Sequence, residues 1–185
     1  MTYYDICRTP IGWCGVVTSQ AAIKRIFLAE PEREDVLAVI GGHFPGCRVD
    51  AEVCREAVAF LLQYFQAGVV ARPPAVLDPG SATAFQCRVW DLAGSIPFGQ
   101  LRTYAWLAGQ LGRRGAARAV GAALGRNPLP LIVPCHRVVC SNGQPGGFSA
   151  TGGTALKRKL LEHEGVVFDT QGRVVNRELG VRSKE

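Results

Sequence analysis

The first thirty residues alternate between apolar and polar positions. "TYYDICRT" (2–9), "GWCGVVTS" (12–19) and "AAIKRIFLA" (21–29) each switch at a period near two, and Pro-Ile-Gly and Ser-Gln turns separate them. Three successive strands are expected. The period then lengthens. A helix is expected over roughly residues 31–43 and another over 52–67, where Val53, Ala57, Phe60, Leu61, Tyr64 and Phe65 recur along one helical face. "GVVARPPAVLDPG" (68–80) breaks that pattern with Pro73, Pro74, Pro79 and Gly80, and is the expected boundary between two domains.

Beyond the break the chain reads as short helices. Ser81 or Thr83 caps one that carries Phe85, Val89, Trp90 and Leu92 and ends by Gly94 and Pro97. Thr103 caps "YAWLAGQLG", "RRG" turns the chain, and "AARAVGAALG" follows. Two short helices joined by a glycine-containing turn outline a helix-turn-helix, although any helical hairpin shares that outline. A glycine-rich loop, "SNGQPGGFSATGG", leads to a basic helix, "TALKRKLLEHEG", and a terminal hairpin, "VVFDTQGRVVN".

With 185 residues, 48% of them hydrophobic, the chain has room for a sizeable core in one large or two small domains. No apolar run approaches the ~20 residues that span a bilayer. "MTYYDICRTP" lacks the basic flank and apolar stretch of a secretory signal, so a cytoplasmic setting is expected. Seven cysteines cannot all pair within one chain, and reduced thiols are the expectation. Cys7–Cys14 and Cys47–Cys54 share a spacing, and His43 lies just before Cys47. Neither pair has the tight turn of a zinc site. Small buried hydrophobes are the favoured reading, and no metal or other cofactor is assigned.

The net charge of +6 is unevenly spread. Residues 1–80 hold 7 basic and 9 acidic side chains, whereas residues 81–185 hold 14 basic and 6 acidic. No Asp or Glu occurs between Asp91 and Glu162, a stretch that carries Arg102, Arg113, Arg114, Arg118, Arg126, Arg137, Lys157, Arg158 and Lys159. Such a run fits a polyanion, nucleic acid first among them, or a solvated basic face with no particular partner. The small residues Ala116, Ala117, Ala119, Gly121, Ala122 and Ala123 let their helix lie flush against a nucleic-acid groove or against another helix.

The candidate chemistry sits in "LIVPCHRVVC" (131–140). Cysteine attacks as its thiolate, and a neighbouring base or positive charge raises that fraction. Cys135 has His136 beside it and Arg137 next, and Pro134 favours a turn over a strand. By residue type alone, a core cysteine next to a satisfied histidine is the plainer reading. "GGFSATGG" suits a loop whose backbone approaches a ligand closely, or a flexible connection.

Taken together, "TYAWLAGQLG…AARAVGAALGRNPLPLIVPCHRVVCSNG…GGFSATGG…LKRKLLEHEG" closely resembles the O6-alkylguanine-DNA alkyltransferases, from about Phe85 to Gly165. The first 80 residues match loosely, in length and in the opening "YY…TPIG". The resemblance implies an α/β two-domain fold: a ribonuclease-H-like domain over 1–80, a mostly helical DNA-binding domain with a helix-turn-helix over 81–168, and a hairpin and tail over 169–185. It implies single-turnover repair of double-stranded DNA, bound from the minor groove; a monomer is expected, and cooperative binding on DNA is left open by the sequence. Cys135 would accept an alkyl group from O6 of guanine, and from O4 of thymine, after the nucleotide is flipped out. His136 would take the thiol proton through a water, oriented by Glu164. Arg118 would fill the vacated stack, with Thr103, Tyr104, Ala117, Ala119 and Gly121 also against DNA. Tyr104 would protonate the departing guanine, and Asn127 would brace the Cys135 segment. Pro130, Val138, Phe148 and Ser149 would form the substrate pocket.

The sequence departs from the family at Phe148, where many members have Tyr, and in the length of "GGFSATGG"; both bear on substrate range. Three other functions are weighed: a binder of alkylated DNA without transfer, a helix-turn-helix regulator and a thiol hydrolase. Cys135 argues against the first, the paired cysteine and histidine against the second, and the basic stretch against the third.

Overall fold

A computed structural model describes residues 1–19, 22–67 and 82–175. Residues 68–80, where the domain boundary was expected, lie outside the described residues. The fold is mixed α/β, with six α-helices, a four-stranded sheet and a two-stranded one among the described residues.

The alternating start forms β1 (Tyr3–Thr9), β2 (Gly12–Ser19) and β3 (Ala22–Glu30), within a residue or so of the expected limits. α1 (Arg33–His43) follows, with Glu34 and Asp35 in its first turn, where carboxylates suit the exposed N–H groups. The two-residue β4 (Arg48–Val49), both residues exposed, was not foreseen because so short a strand has no period to read. It pairs parallel to β1, giving the order β3-β2-β1-β4 with the other pairings antiparallel. α2 (Ala51–Ala67) completes the set.

These elements form one compact unit, with the segments Pro128–Ile132 and Ala150–Gly152 added. Its core joins Val17 and Phe27 of the sheet to Val36 and Ile40 of α1. Thr18, one residue on, instead meets Cys54 of α2 at 3.4 Å, so neighbouring residues of one strand serve different helices. The two late segments are tied to β3: Ile26 N–H donates to the Pro128 carbonyl at 2.9 Å, and Thr151 Oγ1 donates to Glu30 Oε1 at 2.7 Å. The spacing of the first cysteine pair follows from the hairpin. Cys7 and Cys14 oppose one another across β1 and β2, both buried, and burial with mutual repulsion pushes the Cys7 thiol up to about 12.

Among the described residues the second unit comprises Ala82–Asn127, Val133–Ser149 and Gly153–Val175, and the expected tail past residue 175 lies outside them. Thr83 and Gln86 exchange side-chain-to-backbone hydrogen bonds at the start of α3 (Ala84–Gly94), a capping box. β5 (Arg102–Thr103) feeds α4 (Tyr104–Gln110), and a turn leads to α5 (Ala117–Leu124). A single 3-10 turn spans Cys135–Arg137 and runs into β6 (Val138–Val139), parallel to β5. α6 (Gly153–His163) is the basic helix. Trp90 Nε1 donates to the Ala123 carbonyl at 2.9 Å, fixing α3 on α5. Leu101, Val139, Leu161 and Val166 form a second core, and Phe168 and Val174 of the terminal hairpin pack on it.

Candidate active site

Pro134 ends the apolar run, and the chain tightens into the 3-10 turn that begins at Cys135. The Cys135 thiol is 6% exposed and lines a cavity of about 530 Å³ within the second unit. Asn127 holds this segment from α5's far end. Its Nδ2 donates to the Val133 carbonyl at 2.8 Å and reaches Cys135 Sγ at 3.2 Å. Burial pushes the Cys135 thiol up, against the Asn127 hydrogen bond and the Lys157 charge, which favour the thiolate.

Behind the thiol lies a buried charged cluster. His136 Nε2 is 2.8 Å from Glu164 Oε1. Arg137 donates from Nε to Glu164 Oε2 at 2.8 Å and from Nη2 to Oε1 at 2.8 Å, and Nη1 donates to the Ile96 carbonyl at 2.7 Å. Gly99 N–H adds a bond to Glu164 Oε2 at 3.0 Å. Burial alone would raise the Glu164 carboxyl, but the hydrogen bonds from His136 and Arg137 and the Arg137 charge outweigh it and hold the group ionised. Burial lowers the His136 imidazole below its ordinary value, with Glu164 opposing. A neutral ring facing a carboxylate carries its proton on Nε2, which leaves Nδ1 basic.

The other walls come from α5 and the glycine-rich loop. Ala117, Arg118 and Gly121 line the cavity from α5, with Arg118 exposed at its rim. Val120, Ala123 and Leu124 are buried, so this small-residue helix is packed on one side and open on another. Half-buried Phe148 and exposed Ser149 line the cavity from the loop, and Tyr104 from the start of α4. Burial, with Cys140 and Cys135 nearby, pushes the Tyr104 phenol up to about 12.

Not every residue expected at the site stands on the cavity wall. Thr103 is 3% exposed and its hydroxyl accepts the Trp106 N–H at 3.0 Å, so its side chain is a helix cap and is withdrawn from the surface expected to meet DNA. Ala119 is exposed, away from the lining residues. Val138 is fully buried beneath them. Pro130 is buried in the first unit. One residue taken for part of a basic surface helix proves central: Lys157 is fully buried, and its Nζ donates to the Val138 carbonyl at 2.6 Å and to Tyr104 Oη at 3.2 Å. The signal was present, since Lys157 shares the spacing of the apolar positions Leu156, Leu160 and Leu161.

A buried thiol stands on the cavity wall, followed in sequence by an imidazole that meets a carboxylate. Residues 84–166 match the family model for the 6-O-methylguanine DNA methyltransferase, DNA binding domain. The methylated-DNA–protein-cysteine methyltransferase of Methanosarcina acetivorans is 36% identical over 165 residues, covering 88% of this chain and 98% of that protein. Those of Methanothermobacter thermautotrophicus and Salmonella typhimurium are 48% and 49% identical over 52% and 58% of this chain, which spans only 52% and 61% of their own lengths. The solved Mycobacterium tuberculosis O6-methylguanine methyltransferase is 34% identical, covering 89% of this chain and 93% of that one, with a TM-score of 0.71. A Mycobacterium tuberculosis OGT structure in complex with DNA is 36% identical over 88% of this chain and 92% of that one, with a TM-score of 0.72. The chain belongs to the methylated-DNA–protein-cysteine methyltransferase family.

Proposed function

We propose that the protein repairs alkylated duplex DNA by moving the alkyl group from O6 of guanine, or O4 of thymine, irreversibly onto Cys135. The observation that carries this is the Cys135 thiol on the cavity wall, bridged by Asn127 and followed by the His136–Glu164–Arg137 cluster. His136 Nδ1 takes the thiol proton through a water. The thiolate attacks the alkyl carbon, the carbon–oxygen bond breaks with its electrons going to guanine, and Tyr104 supplies the proton the base then needs. The product is a thioether. Water does not cleave it under mild conditions, so each molecule acts once.

A stacked base cannot reach this thiol, so the nucleotide is flipped at a cost of about a few kcal/mol. Arg118, exposed at the rim, fills the vacated stack with its planar guanidinium. α4, its turn and α5 act as a helix-turn-helix against the minor groove, with Ala117, Ala119 and Gly121 allowing close approach. Phe148, Ser149 and the Val138 backbone receive the guanine. The first unit is ribonuclease-H-like. The protein works as a cytoplasmic monomer on DNA. The DNA complex of the Mycobacterium tuberculosis relative supports the choice of partner.

The test is intact mass and peptide mapping after incubation with O6-methylguanine duplex. One methyl group on the Cys135 peptide, stoichiometric and without turnover, is the expected result. Binding without mass gain would leave a lesion binder. Arg118→Ala separates the steps: repair of duplex slows far more than reaction with free O6-benzylguanine, and equal slowing would remove Arg118 from flipping.

A further inference from the structure

The segment Val133–Ser149 carries Cys135 and ends on the lining residues Phe148 and Ser149. The chain leaves the first unit after Ile132 to make it and rejoins that unit at Ala150. Within the first unit, β3 holds the chain on both sides of this excursion. The Ile26 N–H takes the Pro128 carbonyl at 2.9 Å before it, and the Glu30 carboxyl takes the Thr151 hydroxyl at 2.7 Å after it. The second tie is made by side chains alone.

Glu30 is placed for that bond. Carboxyl groups are seldom withdrawn from water, yet Glu30 is only 8% exposed, and among the described residues Thr151 is its one side-chain hydrogen-bond partner. β3 also bulges there. Trp13 pairs with Glu30 and Gly15 with Phe27, so two residues of β3 stand against one of β2. Ala29, inside the bulge, takes φ of +62°, which a side chain disfavours. Bulges re-aim the side chains beside them. The loop has need of a tie, because Gly146, Gly152 and Gly153 give it backbone freedom on both sides of the lining residues. Ahead of them Thr154 Oγ1 donates to the Gly146 carbonyl at 3.2 Å. Behind them Ala150 alone separates Ser149 from Thr151.

We infer that Glu30 is a positioning residue for uptake of the alkylated base: through its bond to Thr151 it fixes the wall that Phe148 and Ser149 present to the cavity. This rests on the transfer reading above. The bond touches neither the thiol nor the His136–Glu164 pair, so it governs how tightly the base is held and leaves the chemical step alone. An untied wall samples many positions, and the base must select one of them before it can bind.

The experiment is saturation kinetics of transfer from free O6-benzylguanine, in the full chain and in Thr151→Val, which loses the hydroxyl at an exposed position and so leaves the core intact. The half-saturating concentration should rise about tenfold, the scale of one hydrogen bond to a carboxylate, with the limiting rate kept. Thr151→Ser, which keeps the hydroxyl, should restore the wild-type value. Iodoacetamide labelling of Cys135, followed by peptide mapping, should not change. Adding Glu30→Ala to Thr151→Val should bring no further rise, because partners in one bond are not additive. An unmoved half-saturating concentration in Thr151→Val overturns the inference, as does an equal rise in Thr151→Ser or a further rise in the double variant. A limiting rate and an iodoacetamide rate that fall together overturn it too, since the reactive turn itself would then be disturbed. Wild-type transfer from O6-methylguanine duplex runs alongside: its absence would sink the transfer reading, whereas normal wild-type transfer with an unmoved Thr151→Val sinks only the role of Glu30.

Discussion

His136 Nε2 lies 2.8 Å from Glu164 Oε1, with both side chains withdrawn from solvent, and the same carboxylate receives the Arg137 guanidinium through three contacts. Glu164 therefore has two tasks. It fixes the imidazole with its proton on Nε2, and it neutralises a buried cation.

Replacing Glu164 separates those tasks in an observable way. Glu164→Gln leaves Arg137 buried without its counter-charge, a loss expected to cost about 3–5 kcal/mol of stability. It also removes the charge that orients the His136 proton. Urea denaturation should show the lower stability. Transfer from O6-methylguanine duplex, measured well below the new midpoint, should slow by about 10²-fold or more, the scale of one lost acid–base partner. A variant as stable as the wild type would contradict the counter-ion role.

Acid should weaken the fold in two stages. Burial holds the folded His136 pKa below its ordinary value, so the unfolded chain binds more protons as pH falls through the mid-6 range. Its contribution is present above the unfolded pKa and is lost downwards from there. Glu164 is also depressed, and its contribution is lost only as pH falls through and below the ordinary carboxylate range. Stability measured by urea titration between pH 4.5 and 7 should therefore rise with pH, and His136→Asn should flatten that rise. A flat wild-type profile would mean that folding leaves the His136 pKa unmoved, and a profile that falls with pH would mean that the folded ring is charged.

Much of this was legible before any coordinates. The period-two start specified β1 to β3, and the caps at Thr83 and Thr103 set the first residues of α3 and α4, because local hydrogen bonds decide those boundaries. "PCHR" marked a turn rather than a strand, and the 3-10 turn over Cys135–Arg137 stands there. What escaped depended on distant partners. β4 exists only because β1 offers an edge, and Arg137 finds Glu164 across 27 positions of sequence. Lys157 was hidden by its neighbours Arg158 and Lys159, which made a buried residue look like one more surface charge. Thr103 is spent on its own helix as the cap that its place before α4 suggested.

The loop glycine nearest Tyr104 offers the sharpest test of the cavity's tolerance. Gly146 has φ of +76°, in the region that disfavours side chains, and a Cβ there would stand 3.0 Å from Tyr104 Oη, 3.1 Å from its ring and 3.3 Å from Cys140 Sγ. Gly146→Ala must therefore bear about 1–2 kcal/mol of backbone strain and also displace the phenol. The phenol oxygen also accepts the 3.2 Å bond from Lys157 Nζ, which its displacement would disturb. The expected outcome is modest loss of stability with a disproportionate loss of transfer, seen even with free O6-benzylguanine, where no DNA has to be bent or flipped. Iodoacetamide, which needs no help from Tyr104, should still label Cys135 at close to the wild-type rate. If O6-benzylguanine and iodoacetamide slow equally, the substitution has closed the cavity mouth and Tyr104 is not the cause.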